Sequence, residues 1–306
     1  MAHDPSDAAP GVATGGEPEP GERTAAALAP GLYLVATPIG NARDITLRAL
    51  DVLGAADLLA AEDTRTTRRL LEIHGVRRDL RSLVAYHDHN GARARPRLLA
   101  ALGEGRSVAL VSDAGTPLVA DPGFRLAAEA RAAGHAVTAV PGASALLAAL
   151  SIAGLPTDRF LFAGFLPPKR AARRRALAEL VAVPATLVFY ESPRRVAECL
   201  ADMAEVLGGA REAALCRELT KRFEEARRGG LGELAAACAG EPEPRGEVVL
   251  LVGPPVAAPP TAAALDAALA AALEGRTVRD AAAEVAAALG LPRREVYARA
   301  LALGRR

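Results

Sequence analysis

Tryptophan is absent from the 306 residues, and tyrosine and phenylalanine together bring the aromatic share to only 3%. A chain this poor in flat rings does not read nucleic acid by stacking bases on an aromatic sheet platform. Cysteine is scarce as well. Cys199, Cys216 and Cys238 include no Cys-x-x-Cys pair for zinc or redox exchange, and an odd number cannot all pair internally. A reducing, cytoplasmic setting is therefore expected. Neither sign of charge is in excess: 37 basic against 36 acidic residues leave +1, which excludes a polycation that coats nucleic acid with its whole surface. The N-terminal stretch has neither the basic start nor the apolar run of a secretory leader, and residues 1–30 are expected to form a disordered tail. Ala132 to Thr157 carries no Arg, Lys, Asp or Glu, but Pro141-Gly142 splits it, so it reads as strand, loop and helix, and no membrane span is expected.

Apolar residues, by contrast, make up 51% of the chain, enough to build cores. From Gly31, short apolar runs (GLYLVAT, DLLAAE, SLVAYH, SVALVS, HAVTAV) alternate with helical periodicity, which predicts a mainly parallel sheet covered by helices over residues 31–153. Asp121-Pro122 is expected to start one of these helices and Gly134 to end it. After SIAGLPTD the rhythm resumes with RFLFAGFL, a basic helix from Lys169, ATLVFY, a helix from Pro193, and strands near AALCRE, RFEEAR and EVVLLV, a second α/β domain over 154–253. The stiff PPVAAPP run at 254–260 then links to two or three short helices in 261–306, with helix-turn-helix spacing or simply a helical cap with a basic face.

Ligand chemistry concentrates where strands end. SVALVSDAGTPLVADPG runs from a buried-looking strand into a loop rich in Asp, Thr, Gly and Pro, with Asp113 and Thr116 as polar candidates. Similar loops follow other strands at Thr37–Asn41, Pro141–Ser144 and Tyr190–Pro193, and parallel strands gather such loops on one edge. No Gly-x-Gly-x-x-Gly follows the first strand, and the match beginning at Gly230 follows a charged run unlike a buried parallel strand. His87-Asp88-His89-Asn90 lacks an evident third metal ligand and reads instead as a strand end that touches substrate, with Asn90 capping the next helix. No metal is expected. In Glu62-Asp63-Thr64-Arg65 a carboxylate can deprotonate a hydroxyl, or Asp63 or Thr64 can cap a helix. Only two of the 37 basic residues are lysine, and Lys221 is a conceivable general base.

Taken together, LVATPIGNARDITLRAL, AAEDTRTTRRLL, HDHN, VALVSDAGTPLVADPG, PGAS, GLPTDRFLFAGFLP, TLVFYESPRR and RELTKR resemble the 16S ribosomal RNA cytidine 2′-O-methyltransferases, a branch of the tetrapyrrole-methylase-like enzymes. The resemblance covers about Leu32 to Val252. It implies two αβα domains with S-adenosylmethionine in the cleft between them, 16S rRNA in the small ribosomal subunit as partner, and a homodimer. The wider class, which also methylates tetrapyrroles and other small acceptors, carries Gly-x-Gly-Asp-Pro where this chain has Asp113-Ala114-Gly115-Thr116-Pro117. A nucleic-acid-binding regulator without catalysis is a further alternative. By resemblance, Pro38, Ser112, Asp113, Ala114, Thr116, Ser144, Tyr190, Glu191 and Leu219 fall on loops that embrace the cofactor. Glu62 and Lys221 are the catalytic candidates, and Arg65, His87, Arg194 and Arg195 the RNA contacts.

Overall fold

The computed structural model describes residues 27–87, 89–120, 123–243, 245–255 and 261–303. Most of the expected N-terminal tail, the Asp121-Pro122 pair and most of the 254–260 linker lie outside the described residues. The chain divides into two compact units after Pro254.

The larger unit opens with the expected alternation: β1 (Gly31–Val35), α1 (Leu47–Ala55), β2 (Leu58–Ala61), α2 (Thr64–Ile73), β3 (Leu83–Ala85), α3 (Gly91–Gly103), β4 (Ser107–Val111), α4 (Phe124–Ala132) and β5 (Val137–Val140). The five strands form one sheet in the order β3-β2-β4-β1-β5, parallel throughout. Along β4 successive side chains point to opposite faces: Val108 and Leu110 pack with Leu98, Leu102 and Leu126 of α3 and α4, while Ala109 and Val111 pack with Leu53 and Leu71 of α1 and α2. Both faces are therefore covered, which is why these strands read as nearly unbroken apolar runs.

The second half comprises α5 (Ala145–Ile152), β6 (Phe160–Phe165), α6 (Arg170–Ala178), β7 (Thr186–Glu191), α7 (Val196–Leu207), β8 (Glu212–Arg217), β9 (Glu225–Gly230), α8 (Leu231–Gly240) and β10 (Val248–Val252). Its sheet runs β6-β7-β10-β8-β9 and is mixed: β6 and β7 are parallel, whereas β10 is antiparallel to both β7 and β8. Helices α6, α7 and α8 cover one face through Leu177, Leu200, Met203 and Leu234. The other face receives α5, whose Ala149 and Leu150 pack with Val188, Ala214 and Val249. This helix was expected in the first domain, but its apolar side is buried on the second sheet, so the change of sheet falls before α5. Helix α8 was not expected either; the Gly230 motif turns out to be the end of edge strand β9 and the N-cap of α8.

The smaller unit holds α9 (Ala262–Leu273), α10 (Val278–Leu289) and α11 (Arg293–Leu303). Thr277 caps α10 with its side chain, and Gly290 in the left-handed region ends it. Leu269, Val285, Val296 and Ala300 form a core of their own. No helix among the described residues is long and apolar enough to cross a membrane.

A candidate active site between two sheets

The strand-end loops do converge. A cavity of about 330 Å³ is bordered by Ile39, by Ala114–Thr116, by Ser144 and by Tyr190–Pro193, one stretch from each loop singled out in the sequence. Their polar groups bind the loops to one another. Thr37 and Gly115 exchange backbone hydrogen bonds of 2.9 and 3.0 Å. The Ser112 hydroxyl donates to the Gly115 carbonyl at 2.6 Å, and the Thr116 hydroxyl donates to the Ala143 carbonyl at 3.1 Å. Ser144 is the N-cap of α5 without a side-chain cap bond; instead the Tyr190 hydroxyl accepts from the Leu146 N–H at 3.1 Å. Tyr190 thus connects the end of β7 to the start of α5.

Strain is localised here as well. Leu118, Ala120, Glu218 and Thr220 are the described non-glycine residues with positive φ, and they occupy two loops. Ala120 lines the cavity, and the Thr220 hydroxyl accepts from the Asn41 N–H at 3.0 Å, joining the second sheet's loop to the first. Backbone in this region costs about 1–3 kcal/mol per residue and persists where the surroundings enforce it. Gly40 is required nearby, because a Cβ there would overlap Lys221 Cγ.

A second cavity of about 270 Å³ shares Ile39, Ala114 and Glu247 with the first and is also lined by Pro38, Ser112, Asp113 and Lys221. The Lys221 ammonium donates to Glu218 at 2.8 Å and to Glu247 at 3.0 Å. Burial opposes its charge, but the two carboxylates outweigh burial and hold its pKa above the usual lysine value. Held between two carboxylates, the Lys221 ammonium is placed to act as a fixed cation. Asp113 accepts from the Asp63 N–H at 2.9 Å, and burial pushes its carboxyl above the usual range.

The expected site residues therefore separate. Ala114, Thr116, Ser144, Tyr190 and Glu191 line the first cavity, whereas Pro38, Ser112 and Asp113 line the second with Ala114. Leu219 lines neither and is buried beside Ile39 and Val249. Glu62 sits between β2 and α2 and lines neither cavity. Its neighbour Asp63 is the N-cap of α2, and the Arg65 guanidinium holds its carboxyl down at about 2. Arg65 and Arg194 are exposed. Arg195 is turned inward: its Nη2 donates to the Leu166 carbonyl at 2.8 Å and to Glu191 at 3.2 Å. The expected RNA contact at this position is thus an arginine whose Nη2 is engaged within the fold. His87 is half-buried with its ring against His89, and Asn90 is the N-cap of α3 as expected but without a side-chain cap bond; its amide oxygen accepts from the His87 N–H at 2.9 Å and its NH₂ donates to the Ala85 carbonyl at 3.0 Å. The three cysteines are buried free thiols, and burial pushes Cys216 up to about 11, which keeps it protonated at neutral pH.

The residues missed were Gly246–Val249, which line the first cavity. Because β10 is antiparallel to β7, its first residues lie beside the last residues of β7. Strand polarity carries no signal in an apolar run such as EVVLLV, so sequence pattern did not reveal them.

The first cavity fits S-adenosylmethionine by the chemistry of its lining. Ile39, Val119 and Val248 with the rings of Phe165 and Tyr190 suit a nucleoside, and the start of α5 offers amides and a positive dipole end to a carboxylate.

Comparison with known proteins agrees. Residues 31–235 match the family Tetrapyrrole (Corrin/Porphyrin) Methylases, and residues 259–304 match the RsmI C-terminal HTH domain. A ribosomal RNA small subunit methyltransferase I of Mesorhizobium japonicum is 54% identical over 276 residues, covering 90% of this chain and 93% of its own. Its counterpart in Pseudomonas aeruginosa is 51% identical over 222 residues, 72% of this chain and 78% of its own. Among solved structures, the uroporphyrin-III-C-methyltransferase of Thermus thermophilus superposes with a TM-score of 0.51 at 27% identity, covering 72% of this chain and 93% of that one. The chain belongs to the tetrapyrrole methylase family and, within it, to the ribosomal RNA small subunit methyltransferases I.

Proposed function

We propose that this S-adenosylmethionine-dependent methyltransferase methylates the 2′-oxygen of a cytidine ribose in the 16S rRNA of the small ribosomal subunit. The observation that carries the reading is the meeting of two cavities, one beside the start of α5 and one beside α2 that presents Asp113, Arg69 and Lys221, at Ile39, Ala114 and Glu247. When bound, S-adenosylmethionine supplies an electrophilic methyl group on a sulfonium. The protein contributes position: Ala114, Thr116, Ser144, Tyr190 and Glu191 shape the donor cavity, and Pro38 and Ser112 form the boundary with the acceptor side. A dry, fixed approach of oxygen to methyl supplies much of the acceleration in such transfers. Lys221 is the fixed cation at that boundary. Outside the cavities, Arg65, His87 and Arg194 face the RNA, where phosphate contacts dominate affinity.

The enzyme acts in the cytoplasm as a homodimer in this reading. Exposed Leu147 and Ile152 on α5 and Phe160 and Leu161 on edge strand β6 support a second copy at that face. The deciding experiment incubates the protein with methyl-labelled donor and small subunits from cells without it, then maps ribosomal RNA by mass. A ribose methyl on one 16S cytidine is expected. Label in no 16S nucleotide, or on a base instead of a ribose, overturns the reading.

A further inference from the structure

Three carboxylates line the two cavities: Glu191, Glu247 and Asp113. Glu191 is engaged by Arg195 at 3.2 Å and by the Ser192 N–H at 2.8 Å. Glu247 is engaged by Lys221 at 3.0 Å. Asp113 differs from both. Its hydrogen-bond partner among the described residues is the Asp63 N–H on Oδ1, and it takes part in no ion pair there, which leaves Oδ2 without a partner. The same cavity is lined by Thr67, 1% exposed, whose hydroxyl has no hydrogen-bond partner among the described residues, and by Arg69, which has no ion-pair partner among them. Buried polar groups are ordinarily satisfied, so the orphaned Thr67 hydroxyl beside the half-buried Asp113 carboxylate marks a place where a polar ligand completes the bonding, and the exposed Arg69 guanidinium offers a positive charge to it. A nucleotide matches this set: sugar hydroxyls for Asp113 and Thr67, a phosphate for Arg69.

We propose that this second cavity receives the acceptor nucleotide and that Asp113 Oδ2 takes the proton of the ribose hydroxyl during transfer. The inference rests on the reaction given above and moves Asp113 from the donor's embrace to the acceptor's side. The O2′–H bond breaks and its proton passes to Oδ2. An oxygen lone pair becomes the new bond to the methyl carbon, and the electron pair of the broken carbon–sulfur bond stays on sulfur. The products are a carboxylic acid, a methyl ether and a neutral thioether. Charged groups around Asp113 come from both sheets: Asp63, Arg65 and Arg69 from the start and body of α2, and Lys221 and Glu247 across the cavity. Burial, reinforced by the Asp63 charge and opposed by the Asp63 N–H and Arg65, makes this carboxylate more basic than an exposed one, as suits a proton acceptor.

Asp113→Asn keeps the shape and the acceptor for the Asp63 N–H while removing basicity. It is expected to lower kcat on hypomethylated small subunits at least about a hundredfold, to leave the calorimetric Kd for S-adenosylmethionine within about twofold of wild type, and to abolish the acid limb of the kcat–pH profile. Thr67→Val and Arg69→Ala are expected to raise KM for the subunits with the donor Kd unchanged. A kcat near wild type, a retained acid limb, or loss of donor binding at a native melting midpoint in Asp113→Asn overturns the assignment. So does an unchanged KM in both other variants. An active wild type with an unimpaired Asp113→Asn removes Asp113 alone, whereas a wild type that binds donor and methylates no ribose removes the proposed reaction and this inference with it.

Discussion

Lys221 illustrates how far one residue can be read in isolation. Its rarity in an arginine-rich chain singled it out, but its protonation is decided by Glu218 and Glu247, which reach it from a strained turn and from the residue before β10. The hydrogen bond from Lys221, aided by its charge and opposed by burial, also lowers the pKa of Glu218. With the lysine raised and the glutamate lowered, the contact stabilises the fold fully below the ordinary lysine value of about 10.4 and above the ordinary glutamate value of about 4.3. It is lost only as pH climbs through the raised value or falls through the lowered one. Lys221→Met is therefore expected to reduce stability by a similar amount from about pH 6 to 9, measured as the urea midpoint against wild type. The same variant is expected to cut turnover about tenfold or more while sparing donor affinity, because two carboxylates at the cavity boundary lose their counter-ion. A stability difference that disappears between those pH values would remove the ion pair from this account.

Helices α6 and α7 are joined by a charged cluster that the KRAARRR run did not reveal as structural. Arg173 is 1% exposed and Asp202 2% exposed, and they meet at 2.7 Å, with Arg170 on the same carboxylate at 3.0 Å. Burial works against the Asp202 charge, yet the two arginines lower its pKa below the ordinary aspartate value. Asp202→Ala strands a buried guanidinium and is expected to cost about 3–5 kcal/mol in denaturant unfolding. Replacing Arg173 and Asp202 together by apolar residues is expected to cost much less, because no unpaired charge is left behind. In wild type the contribution of this pair is complete above pH of about 4 and is lost as pH falls through the lowered value. This basic segment, expected simply as a helix from Lys169, is in large part an internal clamp. Its role was illegible in sequence because the partner acid lies 29 residues away on another helix.

Two units with separate cores allow binding functions to be separated. The larger contains both cavities, and the smaller carries the family's C-terminal helical domain. Ending the chain after Pro254 is expected to leave S-adenosylmethionine affinity within about twofold and to weaken binding to rRNA, with a shallower dependence of log Kd on log salt by about 0.7–0.9 for each phosphate contact removed. Calorimetry with the donor and filter binding across a salt series measure the two effects. Equal loss of both affinities would count against a separable RNA module.

Most of the strands and helices, though not α8, and the loops that carry the chemistry were legible in the amino-acid order, because apolar periodicity and turn residues are local properties. Family motifs in those loops then pointed to the donor. What the chain order did not contain was which way β10 runs, which sheet α5 covers, and which cavity carboxylate makes no ion pair among the described residues. Those outcomes depend on segments far apart in sequence: Lys221 meeting Glu247, and Asp113 accepting from the Asp63 amide. A side chain's type sets what chemistry it is capable of, but its charge state and task are fixed by the neighbours that tertiary packing supplies.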